Sequence, residues 1–405
     1  MEEWKSYKIK DIAKVNASQY SFKENWKEVA YLDTGNITEN IIDSIQTFIM
    51  PCEDLPCRAR RKVRNNDILF SMVRPNQRHY GILKNPQDNL LVSTGFAVIT
   101  IDPTIADADY VYYYITQDET IDYLQSVAEQ SVSAYPSLKS SDIEDIDIGL
   151  PSLSEQKRIA SILKALDNKI TLNNRINHNL EEQAQALYKS WFIDFEPFKD
   201  GNFIKTEMGL IPEGWEVKPL RTILEYSKKS INPQKYPETI FTHYSLPAYD
   251  NSKDPEVQKG YEIMSNKFVV EDNMILFSKL NPRIKRIWYI DNIPMNSICS
   301  TEFIAYKAFD RNAYPYCWCY LNSDIFYDKI MSSVNGATGS HQRFHAEETL
   351  DICFPYNMAT IQSFSTLIKP MLGSMIKNEA EIRVLKNERD YLLPYLMSGK
   401  TTVNI

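Results

Sequence analysis

The chain has 405 residues, of which 43% are hydrophobic and 24% are charged, and its formal net charge is −8. This length exceeds the size at which one hydrophobic core stops growing, so two domains are expected, and the composition excludes a largely disordered chain. The negative net charge counts against a protein that binds nucleic acid over its whole surface.

The sequence opens with MEEWKSYKIK, which lacks the apolar core of a signal peptide, and it contains no run of 18 apolar residues. We therefore expect a cytoplasmic protein with no membrane partner. The six cysteines show neither a CxxC pair nor metal-finger spacing, which predicts reduced thiols.

A basic cluster precedes the first buried strand that the sequence predicts. Five of the seven residues from Arg58 to Arg64 are basic, namely Arg58, Arg60, Arg61, Lys62 and Arg64. Lysine and arginine bind DNA phosphates, so this pattern predicts phosphate contact. The alternative is a merely solvated surface.

The apolar run Ile68–Met72 predicts a buried strand, and a polar loop follows it. The loop carries side chains of the types that reach base edges: Arg74, Asn76, Gln77, Arg78 and His79. Because Pro75 is a turn residue, an exposed hairpin turn is the alternative.

An amphipathic helix is predicted for Tyr110–Leu124, and a short alternating strand is predicted to end at Pro151. The polar loop between them supplies a second set of DNA-binding candidates: Ser133, Tyr135, Ser137 and Lys139.

The strongest helical pattern in the first half follows Pro151. A stripe at heptad spacing consists of Ile159, Leu163, Leu166, Ile170, Asn173, Asn177, Leu180, Ala184, Leu187 and Trp191. Ser152 and Glu155 have the spacing of a capping box, which predicts that the helix begins there. The stripe would span roughly 48 Å, too long for a simple linker.

The second half repeats the first. Ile68-Leu69-Phe70-Ser71 recurs at Ile275 to Ser278, and Ser93-Thr94-Gly95-Phe96 recurs as Ser300-Thr301-Glu302-Phe303, both displaced by 207 residues. The matching loop supplies Lys279, Asn281, Arg283, Lys285 and Arg286. A helix predicted for Tyr314–Ile330 and a strand predicted to end at Pro355 enclose the second polar loop, with Ser340, His341, Gln342 and Arg343.

A second heptad stripe, displaced by 205 residues, closes the repeat: Phe364, Ile368, Met371, Met375, Asn378, Ile382, Leu385, Arg389, Leu392 and Leu396. A lone helix with such a stripe would expose it, so the two helices are predicted to pair antiparallel as a coiled coil. The alternative is that each helix simply packs on its own domain. Asn173 places a polar residue in the seam, which is consistent with setting the alignment of the helices.

These patterns predict a mixed α/β (α+β) fold with a pseudo-two-fold internal repeat. The predicted segments are a first globular domain at 1–151, a central helix at 152–200, a second globular domain at 201–355 and a C-terminal helix at 356–405.

This order of domain, helix, domain and helix resembles the specificity subunit of type I restriction-modification systems. The most specific segments are LPSLSEQKRIASILKALDNKI, starting at Leu150, and GLIPEGWEV, starting at Gly209. The resemblance covers essentially the whole chain. The second helix departs from the pattern, because Asn357 to Ile361 stand where Ser-Glu-Gln would be.

The resemblance implies a non-catalytic subunit whose two target-recognition domains each read one half of a bipartite, gapped target in double-stranded DNA. The helices would set the gap and dock two methyltransferase subunits. Those partners methylate adenine with S-adenosylmethionine, and motor-nuclease subunits can then join. No cofactor is expected in this chain.

The motifs of the corresponding enzymes do not occur in the sequence. An adenine methyltransferase needs an Asn/Asp-Pro-Pro-aromatic loop and a Gly-rich turn. Ser398 to Thr401 resembles the end of a phosphate-binding loop, but Pro394 replaces its first glycine, so we predict a helix C-terminus capped by Gly399. His341 and His345, like Cys317 and Cys319, lack the context of a metal site.

Two alternatives remain open at this stage. One is a coiled-coil scaffold that binds protein or RNA partners without reading duplex sequence. The other is that the chain is itself a nuclease or methyltransferase, which the missing motifs disfavour.

Overall fold

The computed structural model describes residues 4–50, 55–131, 135–333 and 344–399. By internal contacts the chain divides into unit 1, which holds the residues up to Lys169 and those from Leu385, and unit 2, which holds Ile170–Val384. Each unit therefore contains one part of both long helices. The four-segment division at residues 151, 200 and 355 stays a prediction.

The strands described in unit 1 are short. They are β1 (Lys5–Lys8), β2 (Ala13–Val15), β3 (Glu28–Leu32), β4 (Ile37–Thr38), β5 (Ile41–Ile42), β6 (Gln46–Ile49), β7 (Ala59–Lys62), β8 (Ile68–Ser71), β9 (Tyr80–Ile82), β10 (Leu90–Ser93), β11 (Phe96–Ile101) and β12 (Asp147–Leu150). The helices are α1 (Ile9–Ile12), α2 (Ala108–Thr116), α3 (Asp118–Glu129), α4 (Ser140–Glu144) and the first part of α5 (Leu153–Phe192).

Unit 2 has a similar set of elements. Its described strands are β13 (Phe203–Thr206), β14 (Gly209–Pro212), β15 (Glu216–Pro219), β16 (Leu224–Ser227), β17 (Ser230–Ile231), β18 (Ile240–Tyr244), β19 (Glu256–Lys259), β20 (Lys267–Val269), β21 (Met274–Ser278), β22 (Ile287–Tyr289), β23 (Ser297–Cys299), β24 (Phe303–Ala308) and β25 (Cys353–Tyr356). Its helices are α6 (Leu246–Ser252), α7 (Tyr314–Leu321), α8 (Asp324–Ser333), α9 (Ala346–Leu350) and the first part of α10 (Met358–Met397).

The two units share one sheet topology. The sheet β2-β11-β8-β9 corresponds to β16-β24-β21-β22, and β6-β3-β10-β7 corresponds to β19-β18-β23-β20, to which unit 2 adds β17. A parallel pair lies at the same place in both, β3 with β10 and β18 with β23. The mixed α/β fold and the duplication predicted from the sequence are therefore confirmed.

The helix predicted for Tyr110–Leu124 is two helices, α2 and α3, because the backbone at Gln117 is extended (φ −68°, ψ 151°). Side-chain hydroxyls satisfy carbonyls at the break: Thr116 donates to Tyr112 (2.8 Å) and Thr120 donates to Tyr114 (3.0 Å). The helix predicted for Tyr314–Ile330 is also two helices, α7 and α8.

The strands predicted to end at Pro151 and Pro355 are shorter than expected. The first residues of each alternating segment belong to the short helices α4 and α9, and only β12 and β25 are strands. Both strands form antiparallel pairs, β12 with β1 and β25 with β15.

Each unit buries its share of the two long helices against its own sheet and helices. In unit 1, Leu163 of α5 and Leu396 of α10 pack in one cluster with Tyr110. In unit 2, Phe364 of α10 packs with Tyr316 in the domain core. The helices therefore contact their domains as well as each other, and each fully buried leucine or phenylalanine contributes about 1.5–3 kcal/mol.

None of the helices in the described ranges combines the length and apolar composition that crossing a bilayer requires.

Candidate nucleic-acid interface

The loops that follow β8 and β21 have the same hydrogen-bonded frame. In loop 72–79, the Ser71 hydroxyl donates to the Val73 carbonyl (3.0 Å) and the Ser71 amide donates to the His79 carbonyl (2.9 Å). In loop 279–286, Ser278 makes the matching bonds to the carbonyls of Leu280 (3.1 Å) and Arg286 (2.9 Å). The duplication thus preserves the loop backbone.

A turn between neighbouring strands supports each loop. The Met72 amide donates to the Gly95 carbonyl (2.9 Å), and the Lys279 amide donates to the Glu302 carbonyl (3.0 Å). In unit 1 this turn also holds the basic cluster, since the Thr94 amide donates to the Arg58 carbonyl (2.9 Å). Loop 72–79 and the basic cluster were predicted separately. Both are hydrogen-bonded to the same turn, at Gly95 and at Thr94.

Arg74 is exposed and has a left-handed backbone (φ 48°, ψ 69°). Its guanidinium carbon lies 5.0 Å from the centre of the Tyr135 ring. Its amide donates to the Pro136 carbonyl (3.0 Å). A residue with a β-carbon loses roughly 1–2 kcal/mol in this conformation, so the surrounding loop must hold it.

The remaining candidates of loop 72–79 divide into two groups. Asn76 and Gln77 are exposed. Arg78 is engaged inside unit 1, with Nη2 2.6 Å from Asp118 and Nη1 3.6 Å from Glu39. Nδ1 of His79 lies 2.8 Å from the Ile37 carbonyl oxygen. The predicted set thus has three exposed side chains, followed along the chain by two that are bonded within unit 1.

The second predicted loop of unit 1 lies beside the first. Ser137 forms an isolated antiparallel bridge with Val73, and the Leu138 amide donates to the Met72 carbonyl (2.7 Å). Tyr135 and Lys139 are exposed, and Ser137 is half-buried. Ser133 lies outside the described residues. The structure therefore joins two candidate loops whose contact the sequence did not predict.

The basic cluster is only partly exposed. Arg58 and Arg64 are exposed, while Arg60, Arg61 and Lys62 are half-buried. Lys62 forms an ion pair with Glu24 and lies 5.2 Å from the centre of the Trp26 ring. Arg61 donates to the Thr94 carbonyl (3.3 Å), and burial lowers the pKa of its guanidinium.

In unit 2, two of the five candidates in loop 279–286 are paired internally. Lys285 Nζ lies 2.6 Å from Asp324, and Arg286 makes two hydrogen bonds with Asp250 (2.6 and 2.9 Å). Arg283 is exposed, and Lys279 and Asn281 are half-buried. Ser340, His341, Gln342 and Arg343 lie outside the described residues.

The predicted helix stripes face inward. Every predicted seam residue is buried or half-buried: Ile159, Leu163, Leu166, Ile170, Asn173, Asn177, Leu180, Ala184, Leu187, Trp191, Phe364, Ile368, Met371, Met375, Asn378, Ile382, Leu385, Arg389, Leu392 and Leu396. By contrast, Leu172 and Ile176 on α5 are exposed.

Side-chain bonds define the direction of the helix pair. In unit 2, Asn173 donates to Glu381 (2.8 Å), and Asn177 donates to the Met375 carbonyl (3.2 Å) while it accepts from Asn378 (2.8 Å). In unit 1, Arg389 donates to Asp167 (3.1 Å). Partner numbers fall on α10 as they rise on α5, which confirms the predicted antiparallel pairing.

Helix α5 begins at Leu153, close to the predicted start, but the predicted capping box does not form among the described residues. The Ser152 hydroxyl lies 3.1 Å from that of Ser154, and Glu155 accepts from Arg158 (2.8 Å). Gln156 fixes the helix start instead. Its side chain donates to the Pro151 carbonyl (3.0 Å) and accepts from the Asp107 amide (2.9 Å).

Within the described residues, no group of three or more His, Cys, Asp and Glu side chains could hold a metal ion. Burial raises the pKa of the Cys317 thiol, so it is a poor metal ligand. Helix α10 ends at Met397, and Gly399 has φ 69°; a β-carbon there would lie 2.9 Å from the Trp4 ring. Gly399 therefore follows a helix end, as predicted.

A cavity of about 460 Å³ in unit 2 was missed by the sequence patterns. Aromatic and charged side chains line it, including Tyr244, Tyr249, Lys253, Trp288, Trp318 and Glu379. Burial raises the pKa of the Glu379 carboxyl. The walls come from separate elements, so no local sequence pattern marks the cavity.

Two units that share one sheet topology, each containing part of two antiparallel helices, define an internally duplicated α/β protein. Residues 1–182 match the family model described as "Type I restriction modification DNA specificity domain". The resemblance noted from the sequence is thereby confirmed, and the chain is related to the specificity subunits of type I restriction-modification systems.

Two relatives illustrate the similarity. The chain is 27% identical to the type I restriction enzyme HindI specificity subunit of Haemophilus influenzae, covering 74% of this chain and 66% of that protein. It is 28% identical to the MjaIX specificity subunit of Methanocaldococcus jannaschii, covering 99% and 94%.

The crystal structure of the type I restriction-modification S subunit from M. genitalium aligns over 100% of this chain and 97% of its own, with a TM-score of 0.57 and 16% identity. At this identity the likeness shows a shared fold.

Proposed function

We propose that this chain is the non-catalytic, sequence-reading subunit of a type I restriction-modification complex, and that each unit reads one half of a bipartite, gapped target in double-stranded DNA. The observation that carries the proposal is the loop frame shared by loops 72–79 and 279–286, on which different side chains stand. One backbone frame with two sets of side chains suits two different half-sites.

The exposed side chains are of the types that read bases. Arginine can bind guanine with two hydrogen bonds, and asparagine or glutamine can do so with adenine. We assign DNA contact to the basic cluster, Arg58, Arg60, Arg61, Lys62 and Arg64, and to these loop residues: Arg74, Asn76, Gln77, Tyr135, Ser137, Lys139, Lys279, Asn281 and Arg283. Arg78, His79, Lys285 and Arg286 would reach DNA only by giving up their internal bonds.

The helix pair would set the gap between half-sites. Each helix has 40 residues and is therefore about 60 Å long at about 1.5 Å per residue. A stiff pair of that length suits a spacer and a docking platform for two methyltransferase subunits, with motor-nuclease subunits joining later. S-adenosylmethionine would be bound by those partners, and the complex would act in the cytoplasm.

A map of modified adenines tests the proposal. Cells that express this chain together with its neighbouring methyltransferase are compared with cells that lack the chain. A gapped two-part motif that depends on the chain is expected. If the methyltransferase is present and soluble but no such motif appears, the scaffold alternative replaces this proposal.

A further inference from the structure

The basic cluster covers strand β7 and the residues at its two ends. The corresponding segment of unit 2 can be identified residue by residue. Arg61 of β7 pairs with Val92, and Phe268 of β20 pairs with Cys299. Cys299 lies 207 residues after Val92, and Phe268 lies 207 residues after Arg61. Arg61 and Phe268 are therefore equivalent positions of the repeat. At the end of the strand, the Arg64 amide donates to a side chain three residues later, as the Glu271 amide does.

The five cations of the cluster are not conserved between the units. Arg58, Arg60, Arg61, Lys62 and Arg64 correspond to Ser265, Lys267, Phe268, Val269 and Glu271. Of these five positions in unit 2, one carries a lysine, one carries a glutamate and three carry uncharged residues. Because the second strand folds into the same register without this charge, the cations are not required to form the strand.

The charges that remain at this place in unit 2 are neutralised or buried. Lys267 is buried, its Nζ lies 2.6 Å from the Ser265 hydroxyl, and burial lowers its pKa. Glu271 accepts hydrogen bonds from Lys229 (2.8 Å) and Lys307 (2.9 Å). No exposed, unpaired cation is left on this strand.

In unit 1 the outer residues of the cluster remain available. Arg58 and Arg64 are exposed, and no carboxylate in the described part of the chain forms an ion pair with either. Arg58 adjoins the candidate interface, since its carbonyl accepts a hydrogen bond from the Thr94 amide in the turn that supports loop 72–79.

We infer that the two units bind the duplex unequally. The basic cluster is a phosphate-binding surface carried by unit 1 alone, so unit 1 supplies most of the electrostatic affinity, while unit 2 acts mainly through base contacts. This inference rests on the proposed function. Lysine and arginine side chains that bind DNA phosphates release the counterions condensed there. Their contribution to the affinity for DNA is therefore strongly salt-dependent.

The test uses the full-length chain and a fluorescent duplex of random sequence, with affinity measured by anisotropy between 50 and 200 mM salt. Each phosphate contact contributes about 0.9 to the slope of log affinity against log salt. Arg58→Gln/Arg64→Gln is therefore expected to reduce the slope by about 2. The matched control is Lys205→Gln/Lys235→Gln, which removes two exposed lysines of unit 2 and is expected to change the slope by less than half as much.

Arg58→Lys/Arg64→Lys keeps the charge and should retain the wild-type slope, which separates charge from folding. Thermal unfolding of all variants verifies that they are folded. If Arg58→Gln/Arg64→Gln loses no more slope than the control, the inference is overturned. Loss of methyltransferase co-purification with an unchanged slope would also overturn it, in favour of a protein-docking surface.

The proposed function fails separately, if the wild-type chain with its methyltransferase marks no bipartite motif. A mapped motif together with an unchanged salt slope would leave the proposed function standing and remove only the inference about unequal binding.

Discussion

Arg74 and Asn281 occupy equivalent left-handed backbone positions, with φ of 48° and 50°. Asparagine adopts this conformation more readily than arginine does. Two more pairs displaced by 207 residues, Asn66 with Asn273 and Asn85 with Asn292, are asparagine in both units. Arginine at the first position therefore costs stability and calls for another role, which base reading would supply.

We predict that Arg74→Asn is about 1 kcal/mol more stable to urea than Arg74→Ala, because both lose the contact with Tyr135 but only asparagine fits the left-handed backbone. Both variants should weaken reading of one half-site by about 1–3 kcal/mol if Arg74 holds a base with two bonds. Equal stability of the two variants would refute backbone strain at Arg74. An unchanged map of modified adenines would remove Arg74 from the interface.

Glu271 is the acidic residue whose environment gives the clearest dependence on pH. Hydrogen bonds from Lys229 and Lys307 lower its pKa to about 2. A carboxyl with a pKa lower in the folded than in the unfolded state stabilises the fold above the unfolded pKa of about 4.3. That contribution is lost as the pH falls from there toward 2.

Glu271→Gln should therefore lower the free energy of unfolding at pH 7 by about 1 kcal/mol, a modest value because the Glu271 side chain is 32% exposed. The difference from wild type should shrink below about pH 4.3. Urea unfolding at a series of pH values measures it, with Glu207→Gln, an exposed glutamate, as control. A difference that does not change with pH would contradict the assigned pKa.

At the scale of elements, the helix pair combines an apolar seam with polar contacts between the helices. The Asn177 side chain donates to the Met375 carbonyl and accepts from the Asn378 side chain. One turn away, the Asn173 side chain donates to Glu381. Polar seam residues reduce stability but favour one register over its neighbours. For the spacer role that we propose, a single register would keep the gap constant.

Asn177→Leu should cost about 1–3 kcal/mol, because it leaves the Asn378 amide without its acceptor. Asn177→Leu/Asn378→Leu should recover most of that loss, since both partners are then apolar. Urea unfolding of the double variant and of both single variants, Asn177→Leu and Asn378→Leu, gives the coupling. Asn174→Leu, on the exposed side of α5, is the control. Additive losses would show that the two asparagines do not act together.

At the scale of the whole molecule, the proposed function assigns one half of the target to each unit. A substitution in loop 72–79 and one in loop 279–286 should therefore each affect one half of the target. Because the proposal assigns the gap to the helix pair, the gap should stay constant in both cases.

We expect Arg74→Ala to relax one half of the modified motif and Arg283→Ala to relax the other, with the spacing unchanged. Sequencing of modified adenines in cells that carry each variant measures this. If both variants alter the same half, the assignment of one half-site to each unit is wrong.

The sequence by itself determined the repeat, the helix stripes and the positions of the candidate loops. These features are local or periodic: the ILFS segments recur at a fixed displacement, and the heptad spacing places Ile159 and Leu163 on one face of α5.

Only the tertiary structure decided which polar side chains are available. Arg78 and Arg286 look like recognition residues in the sequence, but Asp118 and Asp250, 40 and 36 residues away, occupy them. The contact of Tyr135 with Arg74 and the unequal charge of β7 and β20 depend likewise on which distant segments meet. Local patterns fix backbone conformation, whereas ion pairs and burial depend on neighbours that folding brings from elsewhere in the chain.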